Sequence, residues 1–290
     1  MSFTKVQIKA KAKVNLSLSV GDINEDGMHS ISSIMSTVDF CDNLEVTKLN
    51  NDSLSRYAIF GADDAPRKLT IDWPITRDLT VRAHRMLEHI VGQALPIQLK
   101  LEKRIPIGGG LGGGSSNAAA MLKAVCKLYE LDLDLIPVAK ELGSDVPFLL
   151  NGGRSLVSGA GEQLEKVESI CQHLVLMVPE YGCPTGEVFD AFDEIGRVSL
   201  NERRVREGDF FNDLFEAACS VSECLLEDYR KLTEITKTDI HLSGSGSTMF
   251  SICDNKEDAV NVSKLIEENT NNIVAIATCT EAPVMAMERK

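Results

Sequence analysis

The chain has little with which to build a metal cage or a disulfide framework. Its eight cysteines, at positions 41, 126, 171, 183, 219, 224, 253 and 279, include no Cys-x-x-Cys pair, so neither a zinc ribbon nor a dithiol redox centre is encoded. They read as reduced thiols. Of the five histidines, His84 and His89 stand five apart and miss the same-face spacing of a His-Glu-x-x-His helix. No uninterrupted apolar stretch approaches the roughly 18 residues of a membrane span, and Met1-Ser2-Phe3-Thr4-Lys5-Val6 lacks the apolar segment of a signal peptide. A cytoplasmic protein with no membrane partner is expected. Basic charge is also scarce: the formal net charge is −13, with no basic cluster large enough to track a phosphate backbone, which argues against nucleic acid as a partner. An anionic small molecule would have to find a local basic pocket.

What is present is ordinary for a globular protein, with 43% hydrophobic and 25% charged residues, and disorder is not indicated. A chain of 290 residues can bury a substantial core and is expected to form two domains, 1–160 and 161–290. There is no internal repeat, low-complexity segment or coiled-coil heptad.

The most informative segment runs Ile105-Pro106-Ile107-Gly108-Gly109-Gly110-Leu111-Gly112-Gly113-Gly114-Ser115-Ser116-Asn117-Ala118-Ala119-Ala120. Six glycines around one leucine cannot build a core. They allow positive φ and close approach of backbone N–H groups to a ligand, and the Ser-Ser-Asn-Ala-Ala-Ala that follows has the composition of a helix start. Converging N–H groups at a helix N-terminus, where the peptide dipoles amount to roughly +0.5 of a charge, suit a polyphosphate. Gly108, Gly110 and Gly113 formally satisfy a dinucleotide fingerprint, yet the preceding Gln98-Leu99-Lys100-Leu101-Glu102-Lys103 alternates like a half-exposed strand, unlike the doubly buried strand of that motif. A Walker loop is excluded because no lysine follows the glycines. The plain alternative is a glycine-rich surface turn.

From Val6 to Val20 apolar and polar residues alternate, so Lys9, Lys11, Lys13, Asn15, Ser17 and Ser19 share one face of a strand. A solvated lysine row is the reading for Lys9 and Lys11. A turn at Asn24-Glu25-Asp26-Gly27 leads to a second strand region. Asp72 to Arg77 is a connection, Leu79 to Leu87 has helical spacing ending near Gly92, and Ile97 to Glu102 is a strand that delivers the glycine loop and a helix to about Tyr129. After Gly161 come a strand at Leu174–Val178, helical material from Glu187 to Tyr229, a strand on each side of Ser243-Gly244-Ser245-Gly246-Ser247, a helix from Lys256 to Glu268 and a strand from Ile273 to Cys279. Antiparallel strands with helices on one face are the simplest architecture for that half, and α+β is the expected class.

Three stretches resemble the GHMP kinases: Ala12-Lys13-Val14-Asn15-Leu16, Ile105 to Ala120, and Leu242-Ser243-Gly244-Ser245-Gly246-Ser247. Within that superfamily the chain is most similar to the family that phosphorylates CDP-methylerythritol in non-mevalonate isoprenoid biosynthesis. Further matches are Asp26-Gly27-Met28-His29, Asp78-Leu79-Thr80-Val81-Arg82-Ala83, Lys103-Arg104-Ile105-Pro106, Gly143-Ser144-Asp145-Val146-Pro147-Phe148, Gly159-Ala160-Gly161-Glu162 and Asn212-Asp213-Leu214, in the family's order. The resemblance implies a two-domain GHMP kinase fold, with a ribosomal protein S5 domain 2-like N-terminal domain, a ferredoxin-like C-terminal domain and the site in the cleft between them. It implies a transferase that uses ATP and Mg2+ to phosphorylate the 2-hydroxyl of the methylerythritol moiety. The protein would act as a monomer or homodimer.

The same resemblance assigns residues. Asp145 would be the base for the acceptor hydroxyl and Lys13 a cation near the reacting groups, replacing the missing Walker lysine. The loop Pro106, Ile107, Gly108, Gly109, Gly110, Leu111, Gly112, Gly113, Gly114, Ser115 and Ser116 would hold the ATP phosphates, with Lys103 reaching the nucleotide. Asn15 would meet the polyol, while Met28, His29 and Phe189 would meet the cytosine. Met28 departs from the family's tyrosine, and a thioether packs on a base without offering an aromatic face. The magnesium ligands are unknown from sequence, and no carboxylate pair is dedicated to them. A GHMP kinase for another alcohol, and a nucleotide-binding regulator without catalysis, are the alternatives.

Overall fold

The structure is a computed structural model that describes residues 4–25, 27–70, 73–196 and 199–280. In chain order its strands and helices are β1 (Lys5–Ile23), β2 (His29–Lys48), β3 (Arg56–Gly61), α1 (Leu79–Val91), β4 (Ile97–Lys103), α2 (Gly113–Tyr129), α3 (Leu135–Leu142), α4 (Val146–Asn151), β5 (Arg154–Gly159) and β6 (Gln163–Lys166). They continue with β7 (His173–Pro179), α5 (Thr185–Ile195), α6 (Glu202–Glu207), β8 (Phe211–Asn212), α7 (Phe215–Val221), α8 (Glu223–Thr236), β9 (His241–Leu242), β10 (Met249–Cys253), α9 (Lys256–Asn269) and β11 (Ile273–Cys279). The mixture is α+β, as the alternation of periods 2 and 3.6 requires.

Two compact units form, and each draws on several stretches of chain. One gathers the residues through Ala12, Phe40–Ile107 and Gly112–Asn151, and the other gathers Lys13–Asp39, Gly108–Leu111 and the chain from Gly152 onward. Strands β1 and β2 each contribute residues to both.

In the first unit β4 pairs antiparallel with β2, from Asn43↔Glu102 to Lys48↔Ile97, and parallel with β3. The alternation of Ile97, Leu99 and Leu101 against Gln98, Lys100 and Glu102 appears as alternating burial. Those buried side chains join Leu44, Val46, Val81, Leu87, Met121, Leu122, Val125 and Phe148, each 1% exposed or less. Helix α1 starts where the Asp78 carboxylate accepts the Thr80 N–H at 2.9 Å and stops at Gly92 in the left-handed region, two standard terminating devices. Asp72, the expected start of the connection before α1, lies outside the described residues, and Ile75–Arg77 within that connection forms a single 3₁₀ turn.

In the second unit a four-stranded antiparallel sheet has the order β11-β7-β10-β9, the architecture expected for this half. Leu18, Val175, Met177, Val188, Phe192, Leu225, Leu232, Met249 and Ile266 are buried in one cluster that draws on strands and on α5, α8 and α9. The first part of β2 pairs with β5, and β8 lies parallel to β1 at Ser17↔Phe211 and Leu18↔Asn212. The expected helical stretch from Glu187 to Tyr229 is therefore corrected to four helices with a two-residue strand among them. The break is physical: Gly208 takes the left-handed conformation after α6, and Asp213 then bonds to β1, its N–H to Leu18 O at 2.9 Å and its carboxylate to the Val20 N–H at 2.9 Å.

The polar face of β1 changes character along its length. Gln7 and Lys9 are exposed and Lys11 is half-buried, whereas Lys13, Asn15, Ser17 and Ser19 are 4%, 2%, 1% and 0% exposed. A period of two places residues on one face but does not say what covers it.

One buried titratable group in the first unit makes stability depend on pH. His84 is fully buried, with Nε2 2.8 Å from Leu95 O and Nδ1 2.8 Å from Tyr57 Oη. Because a carbonyl only accepts, Nε2 carries the proton and Nδ1 accepts from the tyrosine. Burial, the dominant influence, holds the imidazole below its ordinary value of 6.5. The neutral ring's contribution is thus complete above that value and is lost as the pH falls through the lower folded-state value. Unfolding free energy from urea titrations is expected to fall between pH 7.5 and 5.5, with a smaller fall in His84→Gln than in the parent protein.

Candidate active site

Strand β4 leads into the glycine loop. Gly108, Gly110 and Gly112 have φ of 65°, 73° and 67°, the left-handed region that residues with a Cβ avoid. The first intrahelical bond of α2 runs from Ser116 N to Gly112 O at 2.9 Å, so the N–H groups of Gly113, Gly114 and Ser115 precede the ladder and mark the positive end of the helix. Gly113 is also required for packing: a Cβ there would lie 2.8 Å from Ile105 Cγ2. At Gly114 a Cβ would meet only Leu79 Cδ1, at 3.5 Å, which leaves the helix start open to a ligand. These features fit the phosphates of ATP.

Within the first unit, the residues that flank the loop meet at Asp42. This carboxylate has no exposure and accepts from Lys103 Nζ at 2.7 Å, Asn117 Nδ2 at 2.9 Å, Arg104 N at 2.6 Å and Ile105 N at 2.8 Å. Lys103 Nζ donates in turn to Asn117 Oδ1 at 2.7 Å. Ile105 enters the loop and Asn117 lies just inside α2, so one buried acid fastens both ends. Lys103, assigned by the resemblance to the nucleotide, is 6% exposed and its ammonium is engaged by these two side chains. Arg67 Nη1 adds a bond to Ile107 O at 3.1 Å.

In the second unit the turn after β9 sits directly on the middle of the same loop. Ser243 Oγ donates to Gly110 O at 3.0 Å and Thr248 N donates to Gly109 O at 3.2 Å. A Cβ on Gly110 would fall 2.0 Å from Ser243 O, an approach that only glycine allows. Lys13 N bonds Leu111 O at 3.0 Å, and Cys183 N bonds Gly108 O at 3.2 Å. The Lys13 side chain starts an oriented chain: Nζ donates to Asn15 Oδ1 at 2.6 Å, Asn15 Nδ2 to Ser33 Oγ at 2.9 Å, and Ser33 Oγ to Ser17 O at 2.6 Å. Because every donor points onward, the amide oxygen faces the ammonium. Gly244 packs here too, its missing Cβ only 3.2 Å from Lys13 Nζ and 3.3 Å from Asn15 Oδ1.

The same unit holds the three residues expected at a base, and it brings two of them, His29 and Phe189, into contact. His29 stacks on Phe189 with ring centroids 5.0 Å apart and meets Phe192 edge-on at 5.9 Å. Its Nδ1 donates to Gly21 O at 2.9 Å, and its Nε2 lies 3.5 Å from Asp193 Oδ2. Met28 is 49% exposed at the hairpin tip, where its N–H is held by Asn24 Oδ1 at 2.9 Å. Asp26 of this motif lies outside the described residues.

Asp145 belongs to the first unit, half-buried in the turn that opens α4, where its carbonyl accepts Leu149 N at 3.1 Å. Lys13 belongs to the second. Sequence reasoning missed Asp42. The available signal was an acid in phase with the core positions Leu44 and Val46 of β2, where an apolar residue is the rule. Among the described residues no group of three or more His, Cys, Asp or Glu side chains could hold a metal ion, and no helix is long and apolar enough to cross a membrane.

Comparison with known proteins agrees with these features. Residues 78–153 match the GHMP kinases N terminal domain. Over 274 residues the chain is 34% identical to the 4-diphosphocytidyl-2-C-methyl-D-erythritol kinase of Caldanaerobacter subterraneus subsp. tengcongensis, covering 88% of this chain and 91% of that one. A solved 4-(cytidine 5'-diphospho)-2C-methyl-D-erythritol kinase superimposes with a TM-score of 0.76 at 28% identity, covering 96% of this chain and all of the other. Homoserine kinase from Cytophaga hutchinsonii, at 14% identity with a TM-score of 0.69 over 97% and 95% of the two chains, shares the fold.

Removing the Asp42 carboxylate would leave a buried ammonium without its counter-charge and two backbone N–H groups without their acceptor. Asp42→Ala is expected to lower unfolding free energy by about 3 to 5 kcal/mol, measured by urea titration. A loss below about 1 kcal/mol would mean that the loop ends are held by other contacts.

Proposed function

The chain belongs to the 4-diphosphocytidyl-2-C-methyl-D-erythritol kinase family of GHMP kinases, and from that membership we propose that it transfers the γ-phosphoryl group of ATP to the 2-hydroxyl of CDP-methylerythritol. It is an ATP-dependent small-molecule kinase of isoprenoid precursor biosynthesis. The observation that best supports the proposed chemistry is the glycine loop seated under the Ser243 turn beside the buried Lys13 ammonium. That arrangement offers backbone donors and a cation to the same anionic group.

In the proposed reaction a bond forms between the substrate's 2-oxygen and the γ-phosphorus, and the bond from that phosphorus to the β–γ bridging oxygen breaks. The hydroxyl proton passes to the Asp145 carboxylate, which also orients the oxygen for in-line attack. Lys13, directed by Asn15, stabilises charge on the transferring oxygens, and the remaining amide capacity of Asn15 serves the polyol. Backbone N–H groups of the loop and the hydroxyls of Ser115 and Ser116 hold the α- and β-phosphates. A magnesium ion would neutralise charge on the β- and γ-phosphates, held mainly by those phosphates and water, with the Ser115 and Ser116 hydroxyls as the protein's contribution. Lys103 acts through Asp42 and Asn117, holding the loop in shape.

At the other end of the substrate, Phe189 and His29 form the wall for cytosine. Met28 supplies an adaptable apolar contact in place of an aromatic one. We assign the N-terminal kinase domain to residues 1–160 and the second domain to 161–290, and place a monomeric or homodimeric enzyme in the cytoplasm.

Asp145→Asn keeps shape and removes proton-accepting capacity. It is expected to reduce turnover on CDP-methylerythritol by at least about 100-fold while ADP binding, followed by calorimetry, stays close to that of the parent. Unchanged turnover in the folded variant would remove Asp145 from the mechanism.

A further inference from the structure

Resting on the kinase reading, the geometry points to Asn212 as a positioning residue for phosphoryl transfer, one that touches no substrate and fixes the turn that seats the phosphate loop and flanks Lys13. Its amide nitrogen donates to two carbonyls of that turn, Leu242 O and Gly244 O, both at 2.8 Å. Its amide oxygen accepts from Leu214 N at 2.9 Å. Both ends of the amide are therefore committed, and a flipped amide would face like with like at every contact.

The base of this clamp is rigid. Asn212 lies in β8, paired with β1 at Leu18, and its neighbour Asp213 bonds Ser19 Oγ at 2.8 Å and Val20 N at 2.9 Å. Strand β1 is the same strand that carries Lys13 and Asn15. Asn212 thus ties the turn to the element that holds the cation.

What the clamp fixes is the Gly244 peptide. Gly244 has a φ of 58°, and its missing Cβ would lie within 3.2–3.3 Å of Lys13 Nζ, Asn15 Oδ1 and Gly110 O. Rotation of that peptide would move the backbone against the ammonium, its amide partner and the loop carbonyl together. Ser243, one residue before, gives its hydroxyl to Gly110 O and receives the Asn15 N–H at 3.3 Å. Holding the carbonyls on both sides of Ser243 therefore holds the loop's central contact.

Asn212→Asp keeps the shape and loses both donors, setting a carboxylate against two carbonyls, while Asn212→Ala loses the donors without adding charge. Each would be compared with the parent for Mg-ADP affinity by calorimetry, for kcat, for the KM of ATP and of CDP-methylerythritol, and for fold by circular dichroism. The expected result is a folded protein whose ADP affinity and kcat each fall by at least about tenfold, as loss of two buried hydrogen bonds allows, with the CDP-methylerythritol KM within about twofold of the parent. A merely structural residue would lower kcat through the active fraction and leave nucleotide affinity in the folded fraction unchanged, and that outcome would overturn the assignment. Failure of both variants to fold would overturn it too, by making Asn212 a residue of general stability. If the parent protein does not turn over CDP-methylerythritol, the substrate reading fails, and the ADP titration still decides the role of Asn212.

Discussion

A carboxylate with no exposure to water holds the shape of the site. Asp42 accepts four hydrogen bonds, two from backbone N–H groups at the entry to the glycine loop and two from Lys103 and Asn117. Burying an ion pair costs several kcal/mol per ion, and hydrogen bonds to a charged group return about 1.5 to 3 kcal/mol each. With every lone pair in use the arrangement holds. The loop needs this outside support because glycines have the most conformational freedom to lose and no side chains with which to restrain themselves.

The middle of the loop is held by a different device, steric fit. Ser243 O approaches Gly110 so closely that a Cβ would sit 2.0 Å away, and the left-handed φ values of Gly108, Gly110 and Gly112 turn the chain so that this contact is possible. Buried charge fixes the ends and backbone contact fixes the centre. The loop is thereby pre-organised, so little ordering is left for the moment of phosphate binding, when it would cost affinity. The chain from Lys13 through Asn15 and Ser33 to Ser17 does the same for the ammonium, ending on a backbone carbonyl of β1.

Much of this was legible in the amino-acid order, because the strongest signals are local. The period of two in β1 and β4, the glycine content of the loop and the helix end near Gly92 each act within a few residues. The resemblance added Lys13, Asn15, His29, Phe189 and the Gly-Ser-Gly-Ser turn, and the second unit does bring the first two to the turn and the next two to each other. What stayed hidden depends on contacts distant in sequence. Lys13 lies on the face that also carries exposed Lys9, and residues far along the chain, among them Ser33, Asp213 and the Ser243 turn, cover its half of that face. The engagement of Lys103 could not be seen without Asp42, 61 residues earlier. The two-residue strand β8 has no periodicity to detect, and its partner is about 190 residues away in β1.

The central claim is that these features serve phosphoryl transfer to one CDP-linked alcohol. It is tested most directly by following ADP release from purified protein with Mg-ATP, comparing CDP-methylerythritol with mevalonate, homoserine and galactose as acceptors. The account predicts strong turnover with CDP-methylerythritol and none above background with the other three. Turnover confined to one of the other alcohols, or absent with all four, would contradict it.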